Sequence, residues 1–516
     1  MNILLQPSHQ NGDIQKQLNQ TNQKLISVDT FNGVSKIEWD PDAEVTPNGQ
    51  MVFFIEFLKI SGIYEEWLSS CPLEYKSNNA SSIKDILGTT MISVLSGHKR
   101  YSHISTIRND GVNPQKLGMS KVVSEDAVRR AMSHIDQQLG STWLFQNLFH
   151  SYKNLLKIGW ILDIDSTVKT LYGHQEGAEV GYNPRKPGKA SHSYHAYYIG
   201  TIRIILDVDV ASGTSSSGCH SAPNLWKILD HIPQDNIPSL IRGDCSYSSE
   251  SIISELESRG LKYLFKLKQT SNVKKKIVSL SKTKNWQNAG YEFEAIDTQI
   301  KLSGWSKSRK IIILRKKISK QKSAKKSKSK KNSQLEFKSE ELLATMIEYD
   351  YQVLVTNTEH EFRSIVRFYR DRGDSENNFD ELKNQWGWCG YTTKDMKRNS
   401  FMARIIALIY NWWTIFTRLA NPDYHYEAIT SRPLLLSAIA KQTTHAGQSK
   451  ITVTSTHSKS SMIIATLSNV SVCLQSLISN AEQLNTEQIF NKILMIAFRK
   501  FTPQNFLKHV LTPLAP

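Results

Sequence analysis

From Trp160 to Lys268 the chain reads as strands, helix, strand, helix, strand, an order that few architectures accept. Trp160-Ile-Leu-Asp-Ile-Asp-Ser-Thr167 alternates apolar with acidic side chains, as a short strand does. Alternation sets Asp163 and Asp165 on one face and Leu162 and Ile164 on the other. Arg203 to Val210 reads as a further strand and Ala222 to Ile232 as a helix. An apolar stretch from Ile237 then runs into Arg242-Gly243-Asp244. Ser246 to Arg259 turns helical, with Ile252, Ile253 and Leu256 as its apolar stripe and Gly260 where a C-terminal cap belongs. Leu261 to Lys268 alternates apolar and basic residues, as a half-exposed strand does. The pattern predicts an α/β sheet with Asp244 at a strand's C-terminal end, the open edge where ligands bind. Capping of the following helix is the other role open to that aspartate.

A second feature lies downstream. Tyr369, Arg372, Glu376 and Lys383 are separated by two, three and six residues. At about 100° per residue, a single helix would hold all four within a stripe about 60° wide. A phenol, a guanidinium, a carboxylate and an ammonium on one stripe suit a site that holds a metal and a phosphate together. The plain alternative is a solvated face with ordinary charge pairs.

That segment resembles the Y-(2)-R-(3)-E-(6)-K signature of bacterial insertion-sequence transposases with a DDE catalytic triad. Leu171 to Gly177 and Gly181 to Pro184 also resemble a subgroup of those enzymes. The likeness continues through Trp386-Gly-Trp388, Ala403-Arg404, Tyr410-Asn-Trp-Trp413 and Ser431 to Leu435, covering roughly residues 50 to 450. It implies an α/β protein: an RNase H-like catalytic core interrupted by a β-rich insertion, with an N-terminal helical domain and a helical C-terminal region. The triad it implies is Asp165, Asp244 and Glu376. Asp165 is favoured by the Asp-Ser-Thr ending of its strand, with Asp163 as the alternative; Asp380, on nearly the same helix face, is the alternative to Glu376. Such carboxylates suit Mg²⁺ or Mn²⁺, two ions in the implied mechanism. Arg372 and Lys383 would hold phosphates and Tyr369 would hydrogen-bond one near the cut. Trp305 would stack on an unpaired base or serve as core. The implied partners are double-stranded DNA, as terminal inverted repeats and target, and a second copy in a homodimer on DNA. The implied activity is hydrolysis at the element's ends followed by joining to target DNA.

Composition and pattern divide the rest. Residues 1–45 form an Asn- and Gln-rich segment, expected to be flexible, with a short strand at Val34 to Trp39. Residues 46–157 read as a helical, DNA end-binding domain, in which Ser124 caps one helix. Residues 158–268 open the catalytic domain, 269–366 form the β-rich insertion with a Lys-rich loop at 309–331, 367–450 complete the core with helices, and 451–516 are helical. Of 516 residues, 64 are basic and 47 acidic, giving +17, and Arg309 to Lys331 holds twelve Lys or Arg and no acid. That run suits phosphate contact by counterion release or a solvated loop equally. Five scattered cysteines suit a reducing bacterial cytoplasm, at the nucleoid. His192 and His195 lack a matching second metal-ligand pair. No signal pattern opens the chain, and Arg404, Asn411 and Arg418 interrupt the apolar Phe401 to Ala420, so no membrane is expected. Two other readings compete: a D-x-D glycosyltransferase, from Asp163-Ile-Asp165 and Asp207-Val-Asp209, and a DNA-binding protein of transposase descent that has lost cleavage.

Overall fold

The computed structural model describes residues 25–501 except 76, 78, 158, 216–217, 319–347 and 480–482, with the backbone alone at 374–376. The lysine run from Lys320 to Lys331 lies outside the described residues. Its flank Arg309–Lys317 is a strand instead of the start of a loop.

Where one short strand was expected near the N-terminus, two form a hairpin, β1 (Ile26–Thr30) and β2 (Gly33–Ile37). A two-residue strand, β3 (Val45–Thr46), follows. Six helices then build the predicted helical region: α1 (Met51–Ser61), α2 (Ile63–Ser69), α3 (Ile83–Leu95), α4 (Asn113–Lys116), α5 (Glu125–His134) and α6 (Gln137–Tyr152). The Ser124 side chain accepts from the Ala127 N–H at the start of α5, satisfying one of the donors a helix start leaves free.

The sheet is mixed. Its first strands are β4 (Ile161–Thr170), β5 (Glu179–Val180), β6 (Ala190–Ile199), β7 (Ile204–Ser212), β8 (Leu240–Gly243) and β9 (Tyr263–Lys266). Helix α7 (Gly218–His231) joins β7 to β8, and α8 (Glu250–Ser258) joins β8 to β9. Gly260 follows α8 at φ +69°, the left-handed conformation that favours glycine. Spatially the order is β7-β6-β4-β8-β9, with β6 antiparallel to β4 and β7, and β8 parallel to both β4 and β9. Helix α9 (Ser271–Ser281) precedes β10 (Gln287–Gly290), β11 (Phe293–Ile300), β12 (Arg309–Lys317) and β13 (Tyr349–Thr356). These four do not make a separate module: β13 pairs antiparallel with β9, so the insertion extends the central sheet to ten strands.

Next come α10 (Phe362–Asp371), α11 (Asp374–Asn384), α12 (Met396–Ala420) and α13 (Ala428–Leu435). Helix α12 is buried along most of its length. Asn411 pins it to the sheet, accepting from the Ile205 N–H at 2.8 Å and donating to the Ile205 carbonyl at 2.7 Å. On its other side Trp412 meets Trp67 edge to face, and Trp413 meets Phe54 likewise. One helix therefore joins the sheet to the N-terminal helices in one continuous core.

The region expected to finish as helices up to residue 450 contains a hairpin instead, β14 (Ile439–His445) and β15 (Gln448–Thr454). Ala446 (φ 49°) and Gly447 (φ 77°) supply the two left-handed turn residues that match hairpin twist. Strand β14 also pairs with β3. Helices α14 (Ser460–Ile478) and α15 (Thr486–Ala497) follow. By length and composition α14 (mean hydropathy 1.6) is the one helix among the described residues long and apolar enough to cross a membrane. Its Ile463, Leu467, Val470 and Leu474 are buried, while Ile464 and Val472 are exposed.

The pairing of β4 with β8 sets Asp163 opposite Arg242. Both side chains are 1% exposed and meet through two 2.7 Å hydrogen bonds, Nε to Oδ1 and Nη2 to Oδ2. Arg242 also donates from Nη1 to the Phe368 carbonyl in α10. Arg242→Met leaves a buried carboxylate without its partner and should cost about 3–5 kcal/mol. The paired substitution Asp163→Leu/Arg242→Met should recover most of that loss, as read from urea unfolding midpoints.

Candidate active site

The register that pairs Ile164 with Gly243 brings the next residues, Asp165 and Asp244, side by side at the end of the parallel pair. Strand alternation points Asp165 to the same face as Asp163. Its Oδ1 accepts from the Ser166 N–H at 2.8 Å, and its Oδ2 accepts from Arg372 Nη1 at 2.7 Å. Asp244 plays both of its expected parts. It ends β8, and its Oδ1 caps the following turn, accepting from the Ser246 N–H (2.9 Å) and hydroxyl (2.6 Å).

Tyr369, Arg372, Glu376 and Lys383 do not share one helix. Tyr369 sits on α10, Arg372 follows it, and Glu376 and Lys383 belong to α11. The ladder breaks at Arg372-Gly373, where the Gly373 N–H bonds the Arg370 carbonyl three residues back at 2.7 Å. Both junction residues keep right-handed helical dihedrals, so the break is a local tightening and the two helices follow closely. Arg372 packs over the Tyr369 ring, 5.6 Å from its centre. Lys383 Nζ donates to Thr167 Oγ1 at 2.8 Å, two residues along β4 from Asp165. Glu376 lies in the first turn of α11, and its side chain lies outside the described residues. Asp380, the alternative carboxylate, is exposed and accepts from Asn384.

Other candidates have structural work. Asp163 is neutralised by Arg242, and Asp207 is buried against Arg404, with Nε to Oδ1 at 2.8 Å. Each D-x-D pair thus has one aspartate committed to an internal arginine, which leaves neither pair free to hold a metal-nucleotide together. His192 and His195 are buried on β6, bonding the Glu176 and Ser215 carbonyls through Nε2. Trp305 is 7% exposed and capped by Arg309, 5.1 Å from its ring centre, so it packs as core and offers no open stacking face. Sequence reading passed over Glu381, whose buried carboxylate accepts from Trp386 Nε1 (3.1 Å) and the Ala428 N–H (3.0 Å) and ties α11 to α13. It also passed over Lys169, although the alternation that marks Asp163 and Asp165 continues through Thr167 to Lys169.

Burial raises the Asp165 pKa, Arg372 opposes the rise, Asp244 adds to it, and the result is about 6. Burial also weakens Arg372 as a cation, but the Asp165 charge outweighs it and keeps the guanidinium charged. One arginine therefore leaves excess negative charge between two carboxylates. Hard, oxygen-bearing donors with unsatisfied charge fit a divalent cation such as Mg²⁺ or Mn²⁺. Among the described residues no three acidic, His or Cys side chains cluster closely enough to hold a metal by themselves.

A raised carboxyl pKa means that the folded protein holds the proton more tightly than the unfolded chain does. Its stabilising contribution is then complete below the unfolded value near 4 and disappears as pH rises through about 6. With divalent ions chelated, Asp165→Asn should gain stability relative to the native sequence across that window and hold the gain above it. Thermal unfolding between pH 4 and 8 measures this; a gap that shrinks as pH rises would contradict it.

No curated protein matches the sequence at a significant level. Among solved structures, the piggyBac transposase in a synaptic complex with hairpin DNA is similar at 10% identity and a TM-score of 0.37, over 91% of this chain and 87% of that one. Residues 43–473, most of the chain, match the family described as Transposase DDE domain group 1, and the chain therefore belongs to that family of DDE transposases.

Proposed function

We propose that this transposase binds the terminal inverted repeats of a bacterial insertion sequence, cuts the element's ends at Asp165, Asp244 and Glu376, and joins them to target DNA. The observation that carries this reading is the side-by-side placement of Asp165 and Asp244 across parallel strands, with Arg372 against the first. The strand order β7-β6-β4-β8-β9, with only β6 reversed, supports an RNase H-like core. Glu376 completes the triad from a helix that packs against β4 through Lys383 and Thr167.

In this reading Asp165 and Asp244 hold Mg²⁺ or Mn²⁺, with Glu376 as the third ligand. Bound metal supplies Lewis-acid activation of water and charge stabilisation at the leaving oxygen, two ions serving both ends of an in-line displacement. The chain's own groups orient the DNA. Arg372, freed from part of its pairing with Asp165, offers a planar fork of N–H donors to a phosphate. Lys383, whose pKa burial lowers, sits beside Thr167 as a second phosphate donor. The Tyr369 phenol, held under Arg372, hydrogen-bonds a phosphate oxygen near the cut. Pairing of two ends calls for a homodimer on DNA, and the five free cysteines accord with the nucleoid of a reducing cytoplasm.

Asp244→Asn removes one metal-binding charge and keeps the turn-capping oxygen. Binding to an end-containing duplex should persist within about twofold, while Mg²⁺- or Mn²⁺-dependent nicking falls by more than about 100-fold, equivalent to several kcal/mol of lost transition-state stabilisation. Gel-shift and nicking assays on one labelled duplex separate the two. Unchanged nicking would remove Asp244 from the site, and nucleotide-sugar turnover by the native protein would replace the reading altogether.

A further inference from the structure

Beyond the carboxylates, at the other end of β4, lies a cleft of about 430 Å³. Its walls come from the helical region (Arg100, Tyr101, Arg129), from the chain just after β4 and from the loop around Gly390. Among the described residues no acidic side chain lines it. Arg100 is exposed; Arg129 is half-buried, pairs with the exposed Asp126 through Nη2, and lays its guanidinium over the Tyr101 ring, 5.8 Å from the centre, so a phosphate would share it with that carboxylate. Tyr101 is 3% exposed, and among the described residues its hydroxyl has no hydrogen-bond partner. Buried without a partner, this hydroxyl has an unmet hydrogen bond that an acceptor reaching it from the cleft would satisfy.

The cleft is preformed. A Cβ on Gly390 would stand 1.6 Å from the Lys99 carbonyl oxygen, so only glycine lets the loop close on the helical region there. The Tyr391 N–H bonds that same oxygen at 2.8 Å. A line of side-chain contacts along β4 runs from the carboxylates toward the cleft. Along one face of β4, Asp165 meets Arg372, Thr167 meets Lys383, and Lys169 donates to the Gly390 carbonyl at 2.6 Å in the cleft wall. A row of cations thus leads from the carboxylates to Arg100 and Arg129.

We propose that this cleft is a second anion site, gripping a backbone phosphate of the same DNA that enters the Asp165–Asp244 site. Arg100, Arg129 and the Tyr101 hydroxyl are its donors. At about 3.3 Å per strand residue, Thr170 lies roughly 17 Å from Asp165. That span corresponds to about five nucleotides of duplex. The site rests on the transposase reading of the carboxylates and extends it: the helical region would grip the DNA by its backbone without reading bases.

The test uses full-length protein and a duplex taken from the element end, with the native linkages replaced one at a time by uncharged methylphosphonates. For Arg100→Ser/Arg129→Ser, the slope of log affinity against log salt should fall by about 0.9 for each phosphate that is no longer held. One uncharged linkage, about four to six nucleotides from the cut, should weaken the native protein and add nothing to the double variant. Tyr101→Phe should lose affinity on the same linkage with no loss of thermal stability, because the hydroxyl bonds no described residue in the free protein. An unchanged salt slope, or no linkage whose effect disappears in the double variant, would overturn the site. Inorganic phosphate bound at the cleft, with DNA affinity unaltered by the variants, would overturn the DNA source. If the native protein neither bound nor cut the duplex, the reading of the carboxylates would fail instead.

Discussion

Arg242 is buried between two strands and a helix, and much of the site follows from the need to keep it paired. A guanidinium taken out of water must find its partners, and Arg242 has two: the Asp163 carboxylate in the neighbouring strand and the Phe368 carbonyl at the far end of α10. A slip of β8 along β4 by one residue would bury both charges unpaired, so the ion pair selects one register. That register sets Asp165 beside Asp244. The bond to Phe368 fixes the helix end that carries Tyr369 and leads into Arg372. A structural arginine absent from the transposase signature therefore orders the residues that are in it.

Along β4 the degree of satisfaction changes in a graded way. Asp163 has a bidentate partner and almost no exposure. Asp165, two residues on, shares one arginine with the influence of a second carboxylate and is left short of positive charge. Thr167 receives Lys383, and Lys169 turns to a backbone oxygen. The same strand face thus passes from a closed ion pair to an open one, and the open one lies where the catalytic chemistry is proposed.

What the sequence made legible was local. The β4 alternation, the Gly260 stop after α8 and the Ser124 cap of α5 each depend on a few adjacent residues, and each has its predicted form. What it hid depends on distant partners. Nothing near Arg242 announces that its partner is Asp163 instead of solvent, and Glu381 looks like a surface residue of a charged helix until Trp386 and Ala428 fold over it. The insertion was legible as β-rich, but its union with β9 into one sheet was not. The β14–β15 hairpin escaped because its turn, Ala446-Gly447, asks a non-glycine residue to adopt a positive φ. Tyr369, Arg372, Glu376 and Lys383 are divided between two helices by one tightened hydrogen bond at Gly373, too small a change to show in residue spacing.

The pairing of β3 with β14 has a consequence for how the chain matures. Thr46 finds Ala440 across almost the whole polypeptide, and the Gly49 N–H bonds the Ala438 carbonyl at 2.6 Å, where a side chain on Gly49 would collide with Ala440. At about 5–20 residues per second on the ribosome, the N-terminal strand waits roughly 20–80 s for its partner to be made. During that interval its edge is open, and the helices behind it must hold together by their own apolar contacts. Closure of this small sheet therefore cannot precede the synthesis of β14, and it closes a long loop whose entropy cost grows only slowly with length. A chain released before residue 438 would leave the edge of β3 without its only strand partner among the described residues.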